Sequence, residues 1–143
     1  MPTKLTWDTT PGLVPMVGSL PVTEWLDDAE IISINYDNTT GKDLYFDIYL
    51  EIVEQTPQIL AFSAPLCEVY VFPGDGVIVY GAVREYLHAI VSNQSLGSPA
   101  RSPLERVRLS PFRTTVVLKN ISGRILNLNN FQMRPYTLAA EAL

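Results

Sequence analysis

The chain holds one histidine, His88, and one cysteine, Cys67. One imidazole and one thiol exclude a Cys/His zinc cluster, a dinuclear histidine centre, a CxxC redox pair and an intramolecular disulfide. No serine sits in a GxSxG elbow, and Cys67 lies inside the apolar run LCEVYVF, so a buried structural role is expected for Cys67 and His88 alike. The phosphate-cradling loops GxxxxGK[ST] and GxGxxG are absent. Carboxylates are more plentiful. Asp47 and Glu51 share a face of one alternating segment, but four residues of strand separate them by roughly 13 Å, too far for either glycosidase geometry. The loop Asp37-Asn38-Thr39-Thr40-Gly41-Lys42-Asp43 begins and ends like a calcium loop. It departs from the EF-hand where that matters, with glycine fifth instead of sixth and Ile48 in place of the bidentate Glu, so an Asx-type turn is expected. No catalytic residue, metal or cofactor is assigned from the sequence.

Tyr45 and Tyr49 fall on the polar side of that same alternating segment, and exposed tyrosines serve both sugar stacking and protein interfaces. The charge distribution is uneven. The chain carries 10 basic and 15 acidic residues, a net charge of −5, which disfavours nucleic acid and anionic membrane as partners. Residues 1–100 hold Lys4, Lys42 and Arg84 against 13 acids, whereas residues 101–143 hold seven basic residues against Glu105 and Glu141. Either late strands pair with early ones and the charges meet within one molecule, or a basic face on one copy meets an acidic face on the next.

The elements that position these groups read as strands. Val, Ile and Thr total 34 residues and aromatics 14, against 24 for Ala, Lys, Glu and Gln. Residues 29–36, 43–54, 66–72, 77–80, 104–109, 114–120, 124–126 and 130–136 carry strand signals, separated by turn clusters that include Pro73-Gly74-Asp75-Gly76 and Ser122-Gly123. In 43–54, Leu44, Phe46, Ile48, Leu50 and Ile52 are expected on the buried face. Residues 82–91 match both a strand and a short helix. The tail 138–143 is too short for a helix of its own. The expected fold is all-β, an antiparallel sandwich of jelly-roll or immunoglobulin-like type over residues 29–143. Residues 1–28, rich in proline and bearing Trp7 and Trp25, form an extended arm that lies across the domain or a neighbour. No stretch of 18 apolar residues occurs, and Lys4 followed by Asp8 makes a poor signal-peptide start, so synthesis in a cytoplasm with a reduced Cys67 is expected. The N-x-S/T triplets at Asn38, Asn93 and Asn120 are read as turn chemistry.

The run TTVVLKNISGRILNLNNFQMRPY, residues 114–136, resembles the C-terminal signature of small virion proteins of tailed bacteriophages. In these, a strand ending in an "lKNxtG" turn is followed by a polar loop and a closing "lkxRxY" strand. Leu118-Lys119-Asn120 with Ser122-Gly123 supply the first part and Gln132-Met133-Arg134-Pro135-Tyr136 the second, Pro135 being a departure. The resemblance implies a non-enzymatic sandwich made in the host cytoplasm and carried in the virion on capsid, neck or tail. Its partners would be other virion structural proteins and further copies of itself. The residues expected at such interfaces are Trp7, Trp25, Tyr45, Tyr49, Arg106, Arg108 and Arg124. The alternative is a carbohydrate-binding, lectin-like module that stacks sugars on the tyrosine face.

Overall fold

The fold is seen in a computed structural model that describes residues 3–8, 12–55, 64–74, 86–93 and 99–142, with the backbone alone at 3–8 and 138–142. Eleven strands occur among the described residues, and no helix: β1 (Thr3–Asp8), β2 (Val14–Pro15), β3 (Val22–Trp25), β4 (Glu30–Ile32), β5 (Tyr36–Asp37), β6 (Tyr45–Glu54), β7 (Pro65–Gly74), β8 (Leu87–Ser92), β9 (Ala100–Arg108), β10 (Arg113–Asn120) and β11 (Leu126–Ala142). They form two antiparallel sheets. The first has the order β1-β11-β6-β9, with β2 and β3 also paired to β11; the second has the order β4-β10-β7-β8, with β5 also paired to β10.

From β3 onward the chain switches sheets at every connection except β4–β5 and β7–β8. Strand β11 returns between β3 and β6, and β10 returns between β4/β5 and β7. Two nested Greek keys of this kind define a jelly roll. An immunoglobulin sandwich pairs its first two strands with each other, an order not found here.

Alternation in β6 sends Phe46, Ile48, Leu50 and Ile52 inward, all at most 3% exposed. The expected inward Leu44 is instead 52% exposed, because it precedes the strand in the turn that Lys42 enters with φ +53°. Strands β7 and β10 occupy the middle of the second sheet. Leu66 to Tyr70 and Thr114 to Leu118 are buried without alternation, as in a strand covered on both faces. Strand β9 alternates until Leu104 and resumes at Val107. Those two inward residues are an odd number apart, so one extra residue must bulge out. The ladder to β6 slips there, Glu105 and Arg106 both face solvent, and Arg106 takes φ +56°.

Other elements differ from expectation. Residues 87–91 of the ambiguous stretch are strand, within β8, because β7 offers them an edge to pair with. Residues 82–85 and the second half of the hairpin expected at 77–80 lie outside the described residues. The segment 29–36 divides into β4 and β5 on one edge of β10. The pieces expected at 124–126 and 130–136 merge into β11, and the tail 138–142 continues it, held by β1 through Thr3↔Ala142 to Asp8↔Thr137. The N-terminal segment runs along β11, with Met16 fully buried and Trp25 3% exposed in the core.

The three triplet asparagines are buried, with Asn38 and Asn120 at 0% and Asn93 at 6% exposure. The Asn38 side-chain amide donates to the carbonyls of Asp43 (2.8 Å) and Ser110 (2.9 Å), and its Oδ1 accepts from Asp43 N–H. The Asn120 amide donates to Trp25 O and Arg124 O, both at 2.8 Å, while its Oδ1 accepts from Ser122 N–H and Ser122 Oγ. Each of these two ties a turn to a segment distant in sequence. Asp37, at the head of the loop with calcium-like ends, accepts from Thr39 N–H and Thr39 Oγ1, an Asx turn. These bonds hold its carboxyl below the usual carboxylate range.

Replacing Asn120 with Ala leaves the buried Trp25 carbonyl, the partly buried Arg124 carbonyl and a turn N–H without their partner. We expect a stability loss of about 2–4 kcal/mol in equilibrium denaturation. A loss within the range of an ordinary surface substitution would show that the Asn120 contacts do not close the fold.

Candidate functional site

The outer face of the first sheet assembles most of the chemistry-bearing side chains into cross-strand rows. Register places Tyr45 between Arg108 and Tyr136, Asp47 opposite Arg134, Tyr49 between Pro103 and Gln132, and Glu51 between Arg101 and Asn130. Period-2 alternation in β6 and β11 puts these residues on one face, and the β9 bulge brings the Arg106 backbone onto Asp47.

Asp47 is the hub. Its Oδ1 accepts from Arg106 N–H (3.0 Å) on one side and from Tyr136 O–H (2.9 Å) on the other, tying β9, β6 and β11 together through side-chain bonds. Tyr45 and Tyr136 lie with ring centroids 6.0 Å apart, tilted by 33°. The Arg134 guanidinium carbon lies 5.9 Å from the centroid of the Tyr49 ring, a cation–π contact. Arg134 Nε is buried and has no hydrogen-bond partner among the described residues. At the far end of the face, Arg101 Nε pairs with Glu51 Oε2 at 3.2 Å. Burial, then the Asp47 carboxylate, pushes the Tyr136 phenol from its usual 10.0 up to about 12.

Of the residues expected at an interface, Tyr45, Tyr49 and Arg108 belong to this face, with Arg106 in the bulge at its rim. Arg124 lies at the opposite end of the sandwich in the β10–β11 turn, and Trp25 beside it is part of the core, its indole N–H donating to Ala29 O at 2.9 Å. Trp7 is placed by backbone alone, opposite Leu138. Sequence reading missed Arg134 and Tyr136 as members of this face. Their i, i+2 spacing was visible, but which strand they would lie beside was not.

The charge contrast between early and late segments is partly settled inside the molecule. Arg101 meets Glu51, and Arg113 meets Asp37 at 3.7 Å. Lys119 is in register with both Glu30 and Glu68. Cys67 is fully buried, and desolvation, with Glu68 beside it, pushes its thiol up to about 12. His88, expected to be buried, is instead exposed on the edge strand β8 beside a cleft, its imidazole lowered by partial desolvation. Among the described residues, no three His, Cys, Asp or Glu side chains converge as a metal site would require.

No protein-family model matches the chain, and no curated protein matches it.

Two measurements test this geometry. A spectrophotometric titration at alkaline pH should reveal one tyrosine ionising near 12, and Asp47→Asn, which removes the charge, should lower that value. A phenol raised in the folded state contributes stability that is intact below pH 10.0 and is lost as the pH climbs towards about 12. Tyr136→Phe should reduce that alkaline loss, leaving the part due to Cys67 and Tyr36, whose folded values are also raised; an unchanged loss would place the effect elsewhere. Independently, Cys67 should resist alkylation at neutral pH until the protein unfolds, because a buried thiol supplies almost no thiolate. Labelling at the rate of a free thiol would contradict its burial.

Proposed function

We propose that the protein is a non-enzymatic structural component of a tailed-phage virion, docking through the outer face of the first sheet on other capsid, neck or tail proteins and assembling with further copies of itself. The observation that carries this reading is the Tyr49–Arg134 pair beside Tyr45, Asp47 and Tyr136. Tyrosine and arginine are the side chains most enriched at binding hot spots, and here they stand on a rigid sheet with their rotamers held by neighbours. The jelly-roll order supports the reading as well, being an architecture that viral coats use repeatedly. It is shared with lectins, but sugar stacking needs an open ring face. The Tyr49 ring has Arg134 over it, and Tyr136 is only 6% exposed.

The test is a mass-spectrometric inventory of purified particles made with the unaltered chain and with Tyr49→Ala combined with Arg134→Ala. The unaltered chain should be a stoichiometric particle component. The double variant should keep its melting transition within a few degrees and incorporate at least about tenfold less, the loss of one hot-spot pair. Absence of the unaltered chain from particles would overturn the virion reading, and specific retention on a glycan array would put the carbohydrate-binding one in its place.

A further inference from the structure

The two ends of the sandwich carry opposite charge. At one end, the β5–β6 and β9–β10 turns enclose a cleft of about 680 Å³ whose rim includes Lys42, Leu44, Arg108 and Phe112. Leu44 is 52% and Phe112 61% exposed, and neither Lys42 nor Arg108 has an ion pair among the described residues. Counting charges on and beside these turns, Lys42, Arg108 and Arg113 stand against Asp37, which pairs with Arg113, and the buried Asp43 that lines the cleft.

At the other end, the β3–β4 turn projects Leu26, 54% exposed, with Glu24, Asp27 and Asp28 around it, and Arg124 on the neighbouring β10–β11 turn is the exposed cation there. Two left-handed residues, Glu24 (φ +56°) and Asp28 (φ +63°), bracket this projection. Its base is fixed by three contacts: Trp25 in the core, Asp28 N–H on Asn120 O at 2.8 Å, and Gly123 N–H on Asp27 Oδ1 at 2.9 Å. Non-glycine residues in this region cost energy and persist where the surroundings hold them, so an apolar residue displayed among carboxylates is a maintained feature.

These ends cannot satisfy each other within one molecule. The ten residues of β6 span the distance between them, roughly 30 Å, several times the Debye length of about 8 Å at physiological salt. A two-fold contact of either end with itself would set like charges together, whereas a head-to-tail contact sets opposite charges together and covers Leu26 with Leu44 and Phe112.

We propose that copies of this chain associate head to tail, the Leu26 turn of one copy seated in the Lys42/Arg108 cleft of the next, giving a ring or a filament according to the rotation between neighbours. This rests on the structural reading above and supplies the self-assembly contact that it invokes.

The experiment is sedimentation velocity on the full chain and two charge-reversed variants, Lys42→Glu with Arg108→Glu and Glu24→Lys with Asp28→Lys, each checked for an unchanged strand spectrum and melting transition. The unaltered chain should associate in a concentration-dependent way that weakens with added salt. Each variant alone should associate about 100-fold or more weakly, since like-charge contacts at an interface cost several multiples of RT. An equimolar mixture of the two should regain association, because every head then faces a complementary tail. A variant that fails to fold is replaced by Leu26→Asp, which opposes seating without touching the core. An unaltered chain that stays monomeric throughout, or variants that associate as it does, would overturn the proposal. Particle inventory separates this from the wider reading: a monomeric chain that is still a particle component removes the head-to-tail contact alone, and a chain absent from particles removes the virion role.

Discussion

The longest strand imposes the constraint on which the rest depends. Over its 17 residues β11 presents N–H and C=O groups along two edges, and in a folded protein such groups must be paired or left to water. On one edge β6 pairs with Leu126 to Tyr136. On the other, β3, β2 and β1 follow one another from Leu126 to Ala142. The N-terminal segment is therefore the missing edge of the first sheet, delivered in three pieces because its prolines do not sustain a long ladder. Pro135, which lacks an N–H, falls between the β2 and β1 ladders, where residues 134–136 are paired to β6 alone. With that edge filled, Met16 and Trp25 complete the core, and the outer face of β6 and β11 becomes a fixed surface.

Much of this was legible in composition and alternation. The inward set Phe46, Ile48, Leu50, Ile52 follows from a period of two, and the continuous apolar runs of β7 and β10 follow from burial on both faces. The turn asparagines were readable because Asn bonds its own backbone neighbourhood so readily; that Asn38 and Asn120 also reach Ser110 and Trp25 was not, since those partners are remote in sequence. Strand order, which decides between jelly roll and immunoglobulin sandwich, is a long-range property that no local pattern encodes. The bulge at Arg106 could have been inferred from the three-residue gap between the apolar Leu104 and Val107. Leu44 was misread because alternation says nothing about where a strand begins.

The same geometry sorts the charges. Arginines set beside early strands find carboxylates on the sheet, as Arg101 and Arg113 do, and these exposed pairs add little to folding, roughly 0–1 kcal/mol each. What remains is carried by turns. Asp47 fixes the Tyr136 side chain and the Arg106 backbone in one arrangement, so a docking partner would meet a surface partly ordered in advance of binding. The two polar ends, held apart by the length of β6, keep charges that the fold does not neutralise.

The central claim is that this molecule works as a surface repeated in a particle, with the Tyr49–Arg134 face turned toward another protein. Electron cryo-microscopy of purified particles tests it most directly. The account predicts jelly-roll density in which the outer side of β6 and β11 lies against a neighbouring chain, with Arg134 covered. Density in which that face is bathed in solvent while the molecule is held by a different surface would contradict it.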